Sequence, residues 1–137
     1  MQTSKWFACL NYGHFDILIP QLSLLESTYS LTPVHSQLAA KMNCSEINLD
    51  KIIASIFKVE EKGEPVTEIA LKSQPVVILR TSIVPTVIQI PLSSIKFFSY
   101  LYREHLKKYG ILAARFSEGR IQYLVNISKL IKFGGAE

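Results

Sequence analysis

Residues 110–131, GILAARFSEGRIQYLVNISKLI, constrain the fold of this chain more than any other stretch. Two apolar runs flank Ser117-Glu118-Gly119, which predicts two strands joined by a turn, because glycine accepts the positive φ that tight turns need. A helix is predicted to follow over Ile127 to Phe133. Both strands are apolar on both faces, so each face has to be covered. A closed β-barrel meets this requirement, with one face lining its core and the other packing on a second lobe or a partner.

A second hairpin is predicted near the N-terminus. Trp6 to Leu10 and Phe15 to Ile19 are apolar runs on either side of Asn11-Tyr12-Gly13-His14, and asparagine and glycine suit a hairpin turn. Pro20 lacks the N–H that a sheet ladder needs, so it is expected to end the second strand.

The stretch from 60 to 110 holds a loop, two strands and a helical pattern. The charged residues 60–68 predict a loop, and Pro75 to Arg80 and Val84 to Ile90 predict a hairpin around Thr81-Ser82. Farther on, apolar spacing favours a helix, at least for Tyr102 to Tyr109, although 93–102 stays open between helix and strand. With at least six short strand segments, the chain is predicted to be mainly β.

Residues 34–58 are compatible with two structures. Apolar residues at helical spacing predict two helices, the second capped by Ser45, which would form a helix-turn-helix with its second helix in a DNA major groove. Ile47 to Phe57 is also rich in β-branched residues, and IIASIF suits a buried strand equally well. The pattern leaves helix and strand open over residues 36–56.

The composition indicates a globular chain in a reducing compartment. With 137 residues, of which 48% are hydrophobic and 19% charged, we expect one domain or two small packed lobes. Cys9 and Cys44 show no CxxC spacing and no disulfide framework. The longest uncharged run, Thr81 to Ile95, contains two prolines and is too short to span a membrane. We therefore predict a cytoplasmic location.

The charge is unevenly distributed. Residues 96–137 hold eight Lys/Arg against three Asp/Glu, while residues 1–95 hold seven against eight. A basic third can attract nucleic acid, acidic lipid or an acidic protein face. Because the basic residues are mostly separated, and the aromatic residues among them are predicted to face the core, the pattern does not favour nucleic acid.

No motif of catalysis or cofactor binding is present in the sequence. GxGxxG, GxxxxGK[ST], GxSxG and HExxH are all missing. His14, His35 and His105 lie far apart, without a carboxylate or second histidine at ligand spacing. Cys9 lies inside an apolar strand and is predicted to be a small buried hydrophobe. We therefore expect no enzyme activity, no cofactor and no metal.

Taken in order, these segments resemble the CheW-like coupling domain family of bacterial chemotaxis. WFACLNYGHFDILIPQLSLLE is similar to the opening hairpin of that family, and INLDKIIASIF is similar to its central INLRG…IIPVID strands. PVVILRTSIVPTVIQIPLSSI resembles the next hairpin. YGILAARFSEGRIQYLVNISKLI resembles the closing hairpin and terminal helix, so the resemblance spans nearly the whole chain.

The resemblance implies a mainly β fold of two small SH3-like five-stranded β-barrels sharing one core, with short helices including a C-terminal one. Residues 1–137 would then form a single domain of two intertwined lobes. In the family such a domain is a non-catalytic adaptor that bridges methyl-accepting receptors and the regulatory domain of a histidine kinase through apolar patches. It implies no cofactor, no small-molecule substrate and no direct membrane insertion.

The chain departs from the family pattern at three places. Asp50-Lys51 stands where the family has Arg-Gly, Phe57-Lys58 stands where it has Asp-Leu after the central strand, and Val125-Asn126 stands where it has Leu-Asp at the end. The family's arginine position is implicated in receptor and kinase coupling. The resemblance therefore implies a divergent member with an altered partner, and its candidate partner-binding residues are Ile47, Asn48, Leu49 and Asp50. A helix-turn-helix DNA-binding regulator using residues 34–58 is the alternative.

Overall fold

The computed structural model describes residues 4–23, 45–60, 63–72, 77–97 and 106–135. Their strands and α-helices are β1 Ser4–Asn11, β2 Phe15–Pro20, β3 Ser45–Asn48, α1 Leu49–Phe57, β4 Thr67–Leu71, β5 Val77–Thr81, β6 Thr86–Pro91, β7 Lys96–Phe97, β8 Ile111–Ser117, β9 Arg120–Val125 and α2 Ile127–Gly135. The fold is mainly β, as predicted. The chain divides into a first unit, residues 1–21 and 85–133, and a second unit, residues 22–84 and 134–137.

The first unit contains a six-stranded sheet in the order β6-β1-β2-β9-β8-β7. The first strand in this order, β6, is joined to the last, β7, by the short 3-10 turn Leu92–Ser94. Five Cα–Cα steps therefore separate Pro91, which ends β6, from Lys96, which begins β7. Five steps reach at most about 18 Å, whereas five strand spacings of a flat sheet measure about 24 Å. The sheet is therefore curled. If β6 and β7 are counted as one strand broken at the turn, it has five strands, the number that the resemblance implies for one barrel.

Both predicted hairpins of the first unit are present. β1 and β2 are antiparallel, and the Asn11 side chain accepts a hydrogen bond from the Gly13 N–H at 2.8 Å in the turn. β2 ends at Pro20, as predicted. β8 and β9 are joined by Glu118 and Gly119, with φ values of 52° and 77°, the positive φ pair that a two-residue type I′ turn requires.

The predicted terminal helix is also present. Helix α2 covers Ile127–Gly135, and the Asn126 side chain accepts a hydrogen bond from the Lys129 N–H at 3.2 Å. This is the N-cap arrangement, in which a side-chain oxygen satisfies an N–H of the first turn.

The sheet of the first unit is covered unequally. All of β2 from Phe15 to Ile19 is buried on both faces, and the core cluster on one face holds Phe7, Cys9, Leu18, Ile90, Ile95 and Ala113. The closing hairpin is buried at Ile111 and Val125 but not at its tip, where Phe116 is 74% exposed. The chain itself therefore covers the base of this hairpin but not its tip, for which the prediction also allows a partner as the cover.

The second unit contains a three-stranded sheet in the order β3-β5-β4, with β3 parallel and β4 antiparallel to β5. The predicted hairpin of 75–80 with 84–90 is wrong, because β5 belongs to this sheet and β6 pairs with β1 in the other. Pro85 is the physical reason. A proline favours an extended conformation for the residue before it, which disfavours a tight hairpin turn immediately before Pro85.

Residues 45–57 form a strand followed directly by a helix. Helix α1 begins after Asn48, whose side chain accepts a hydrogen bond from the Lys51 N–H at 3.2 Å, and it ends at Lys58 in the left-handed region, φ 57°. The strand that the resemblance implies for IIASIF is therefore wrong, because the buried Leu49, Ile52 and Ile53 recur at helical spacing.

The helix that the helix-turn-helix alternative predicts after Ser45 is present over Leu49–Phe57, but its predicted cap and turn are wrong. Ser45 is not a helix cap but the start of β3, which pairs with β5, so a sheet strand and not a tight turn precedes the helix. The predicted first helix, over Leu38 to Met42, lies outside the described residues.

One other segment differs from its prediction, and one that the sequence left open between helix and strand is a strand. The predicted loop 60–68 ends early, because β4 begins at Thr67 and pairs with β5. Residues 96–97 form the short strand β7, since Ile95 leaves the 3-10 turn in an extended conformation. Of the predicted helix over 102–109, the described part is a helical turn that Gly110 closes with φ 83°.

No helix within the described ranges is long and apolar enough to cross a membrane.

Candidate partner-binding site

The four candidate residues lie together in the second unit, where β3 leads into α1. Ile47 and Asn48 are half-buried at the end of β3, opposite Leu79 and Arg80 of β5. Leu49 and Asp50 begin α1 and are buried. The segment is therefore continuous in space, but only its first two side chains reach the surface.

Asp50 is an internal hydrogen-bond acceptor. Its Oδ1 accepts from the Thr81 hydroxyl at 2.6 Å, and its Oδ2 accepts from the Ser82 N–H at 2.8 Å. Thr81 Oγ1 in turn accepts from the Ile83 N–H at 3.1 Å. The carboxylate thus joins the first turn of α1 to the end of β5, which gives a structural reason for an acid at a position where the resembled family has arginine.

We expect the Asp50–Thr81 hydrogen bond to be measurable as a coupling energy. Asp50→Ala and Thr81→Val are each expected to lower the free energy of unfolding by about 1–2 kcal/mol, because each removes the hydrogen bond between these two buried side chains. In the double variant, the loss of unfolding free energy is expected to be about 1 kcal/mol smaller than the sum of the losses in the two single variants. Urea unfolding followed by circular dichroism measures all three. Strictly additive effects would show that the two side chains are not coupled.

An ion-pair group lies beside this segment, on Arg80 of β5. Its guanidinium lies 3.1 Å from Glu46 Oε1 and 3.4 Å from Glu68 Oε1. Glu68 is buried, while Arg80 and Glu46 are partly exposed. Because Arg80 is aligned with Asn48 across the β3–β5 pair, it places a cation next to the candidate segment.

Sequence reasoning missed this group because its members are cross-strand neighbours. Glu68 is on β4, which was predicted to be loop, and Glu46 meets Arg80 only through the β3–β5 register. A signal for this ion-pair group in the sequence is Arg80, the charged residue that ends the apolar run PVVILR.

The first unit has its own buried polar network, centred on Asp16. Arg120 donates to Asp16 Oδ1 at 2.5 Å, and Gln122 Nε2 donates to Asp16 Oδ2 at 2.9 Å. Arg120 also donates to Asn11 Oδ1 at 3.0 Å and to the Gly13 carbonyl. Asp16 and Gln122 are buried. This network joins the turn of the first hairpin to β9, which pairs with β2 in the sheet.

Cys9 lies next to this network and is buried, as predicted. Its Sγ is 3.8 Å from Gln122 Nε2. Burial, and then the negative charge of Asp16, raise the pKa of the Cys9 thiol to about 11. The thiol is therefore protonated at neutral pH, and its position carries no nucleophilic chemistry.

We expect Cys9 to react slowly with thiol reagents. In a Cys44→Ser background, an aromatic disulfide reagent at pH 8 should label the folded chain about 100-fold more slowly than the urea-unfolded chain, because two pKa units separate the native thiol from the ordinary value of 9.0. As the pH rises, the Cys9 thiol ionises in the unfolded chain before it does so in the folded chain. The contribution of this thiol to the stability of the fold is therefore fully present below pH 9 and is lost as the pH rises towards 11. Equal labelling rates would contradict the burial of Cys9.

The described residues hold no group of three His, Cys, Asp or Glu placed to bind a metal ion. His14 is exposed in the first hairpin turn. His35, His105 and Cys44 lie outside the described ranges.

Exposed apolar side chains concentrate beside β6. Trp6 is 52% exposed, Val87 45% and Leu92 41%, and we call these three residues the β6 patch. Trp6 pairs with Gln89 and Ala8 pairs with Val87, so Trp6 and Val87 are diagonal neighbours on one face of the sheet. Such a cluster is typical of a surface that binds protein.

The comparisons with known proteins agree with the architecture. No protein-family model matches the sequence, and no curated protein matches it. Among solved structures, the chain is similar to the scaffolding protein TtCheW from Thermoanaerobacter tengcongensis, with 8% sequence identity, a TM-score of 0.53 and 90% of each chain covered. The chain therefore has a CheW-like fold.

Proposed function

We propose that this chain is a non-catalytic scaffold that holds signalling proteins together. The observation that carries the proposal is the CheW-like fold, which extends over 90% of the chain and of a scaffolding protein. The exposed apolar β6 patch supports it, because a scaffold needs surface that a partner can cover. In this proposal residues 1–137 act as one domain.

The proposed partners are a methyl-accepting receptor and the regulatory domain of a chemotaxis histidine kinase. The sequence resemblance implies both, and such partners would place the chain in the cytoplasm. No step of this function uses a cofactor or a small-molecule substrate.

Within this proposal, the segment Ile47–Asp50 contributes a contact through its surface-reaching half. Ile47 and Asn48 would touch the partner together with Arg80, which is aligned with Asn48. Leu49 and Asp50 would support the contact from inside, since both are buried. We thus propose that partner binding differs from that of the resembled family, because the residue at the family's arginine position, Asp50, supports the contact from inside and does not touch the partner.

The proposal is tested by binding of the purified chain to the kinase regulatory domain and the receptor tip of its own organism. We expect dissociation constants in the micromolar range for at least one of them. Arg80→Glu should weaken one complex about tenfold or more, whereas Phe116→Ser, on the other unit, should leave that complex unchanged. If the chain is folded and binds neither partner, the partner assignment is overturned and the fold assignment stands.

A further inference from the structure

We propose that the open edge of β6 binds an extended acidic segment of a partner protein, which continues the sheet as an added strand. This inference rests on the proposed scaffold function and names one kind of partner for it. The β6 patch and the two lysines beside it, Lys5 and Lys96, would supply the side-chain contacts.

The first observation is that β6 is an edge strand without the usual protection. It pairs with β1 over six residues, and within the described ranges no strand pairs with its other side. Its sequence, TVIQIP, contains no charged residue, and its one proline stands at the very end. Edge strands that are meant to stay free carry lysines, prolines or bulges. The Pro91 end of this edge turns towards β7, so residues 86–90 offer an uncharged edge about 16 Å long, which is suited to pairing with another strand.

The second observation is the arrangement of side chains along this edge. Thr86, Val87 and Gln89 are exposed, so β6 shows side chains to solvent along most of its length. Trp6 lies diagonally across from Val87 on the same face. An added strand would place alternate side chains directly against Val87, with Trp6 one strand farther along the same face, and in this way strand addition combines backbone affinity with side-chain selectivity.

The third observation is the positive charge near this edge, which favours an acidic segment as the added strand. Lys5 and Lys96 are exposed near the Pro91 end of β6, and neither residues 4–11 nor residues 84–97 contain an Asp or Glu. The first unit holds nine Lys/Arg against three Asp/Glu, while the second holds six against eight. Two copies approaching through their first units would repel each other, whereas an acidic segment would be attracted.

A defined peptide provides the test. We suggest a peptide of about ten residues with alternating valine and threonine in its centre and two glutamates at each end, titrated into the isotope-labelled chain. Shift changes are expected at the backbone amides of residues 86–90 and 92 and at the Trp6 indole N–H. At low salt, the same peptide with lysines should bind about tenfold more weakly, because its charge is reversed. Methylating alternate backbone nitrogens should also weaken binding about fivefold or more, because the added strand loses its ladder hydrogen bonds.

Matched variants locate the surface. Val87→Glu should weaken binding of the glutamate peptide about tenfold, whereas Phe116→Glu, the same charge change at another exposed apolar residue of the first unit, should weaken it about twofold or less. Both positions are exposed, so both variants are expected to fold, and the amide spectrum of each checks this.

Three outcomes would overturn the proposal: equal affinity for the two peptides, no effect of backbone methylation, or self-association of the chain through β6 that Val87→Glu abolishes. If the peptide fails while the kinase domain or receptor tip still binds, the scaffold function survives without the strand addition. If the peptide binds as expected and neither protein does, the edge site stands and the proposed partners are wrong.

Discussion

Replacing Asp16 by alanine is expected to lower the free energy of unfolding by about 2–3 kcal/mol, because it breaks a buried, charge-assisted network. The carboxylate accepts hydrogen bonds from Arg120 at 2.5 Å and from Gln122 at 2.9 Å. Without it, the buried Gln122 amide loses its acceptor, and the partly exposed guanidinium keeps only its contacts with Asn11 and the Gly13 carbonyl. Because the network connects the first hairpin to β9, the loss should appear in global unfolding.

Urea unfolding followed by circular dichroism measures this change. Asp16→Asn is the matched control, since it keeps the shape and one acceptor oxygen while removing the charge, and it is expected to cost less than the alanine variant. Arg120→Lys separates charge from geometry, because lysine keeps the charge but cannot reproduce the forked contact. An unchanged midpoint for Asp16→Ala would show that the network contributes nothing to stability.

Replacing Gly110 by alanine is expected to cost about 3–4 kcal/mol, for two reasons that act together. Gly110 has φ 83°, a conformation that an L side chain adopts with strain. A Cβ at this position would also lie 2.7 Å from both the Asn126 carbonyl oxygen and the Leu130 backbone nitrogen. These are backbone atoms at the start of α2, so they cannot move aside as a side chain would.

Gly119→Ala is the control for this prediction. Gly119 has a similar φ of 77° but open space around the added Cβ, so alanine there carries the strain without the clash. We expect a cost of about 1 kcal/mol for Gly119→Ala, and thermal unfolding should show a melting temperature about 5–10 °C lower for Gly110→Ala than for Gly119→Ala. Equal losses would mean that the backbone near Asn126 can shift to admit a methyl group.

The hairpins and the terminal helix could be predicted from the sequence because their signals are local. Asn11 and Gly13 form the first turn through a hydrogen bond between residues two apart, and Glu118-Gly119 forms the second with two positive φ values. Asn126 caps the helix that follows it. In each case, the residues that determine the structure lie within a few positions of one another.

The environment of the candidate segment could not be predicted in the same way. The resemblance implies a partner-binding role for Asp50 with its reversed charge, yet Asp50 is buried and hydrogen-bonded to Thr81, 31 positions away. The resemblance singles out this segment as one that differs from the family. It did not indicate that the new acid would be an internal acceptor, because that depends on where β5 ends relative to α1.

The sequence by itself determined the mainly β class, the two hairpins with their turns and the C-terminal helix, since alternation, turn residues and caps act over short distances. The tertiary structure alone decided that β5 and β6 join different sheets, that Asp16 meets Arg120 across 104 positions, and that β6 lies at an open edge. These are choices among strand partners of nearly equal local preference. Only the packing of the whole chain separates them, because the closure of long loops and the burial of each face are settled together.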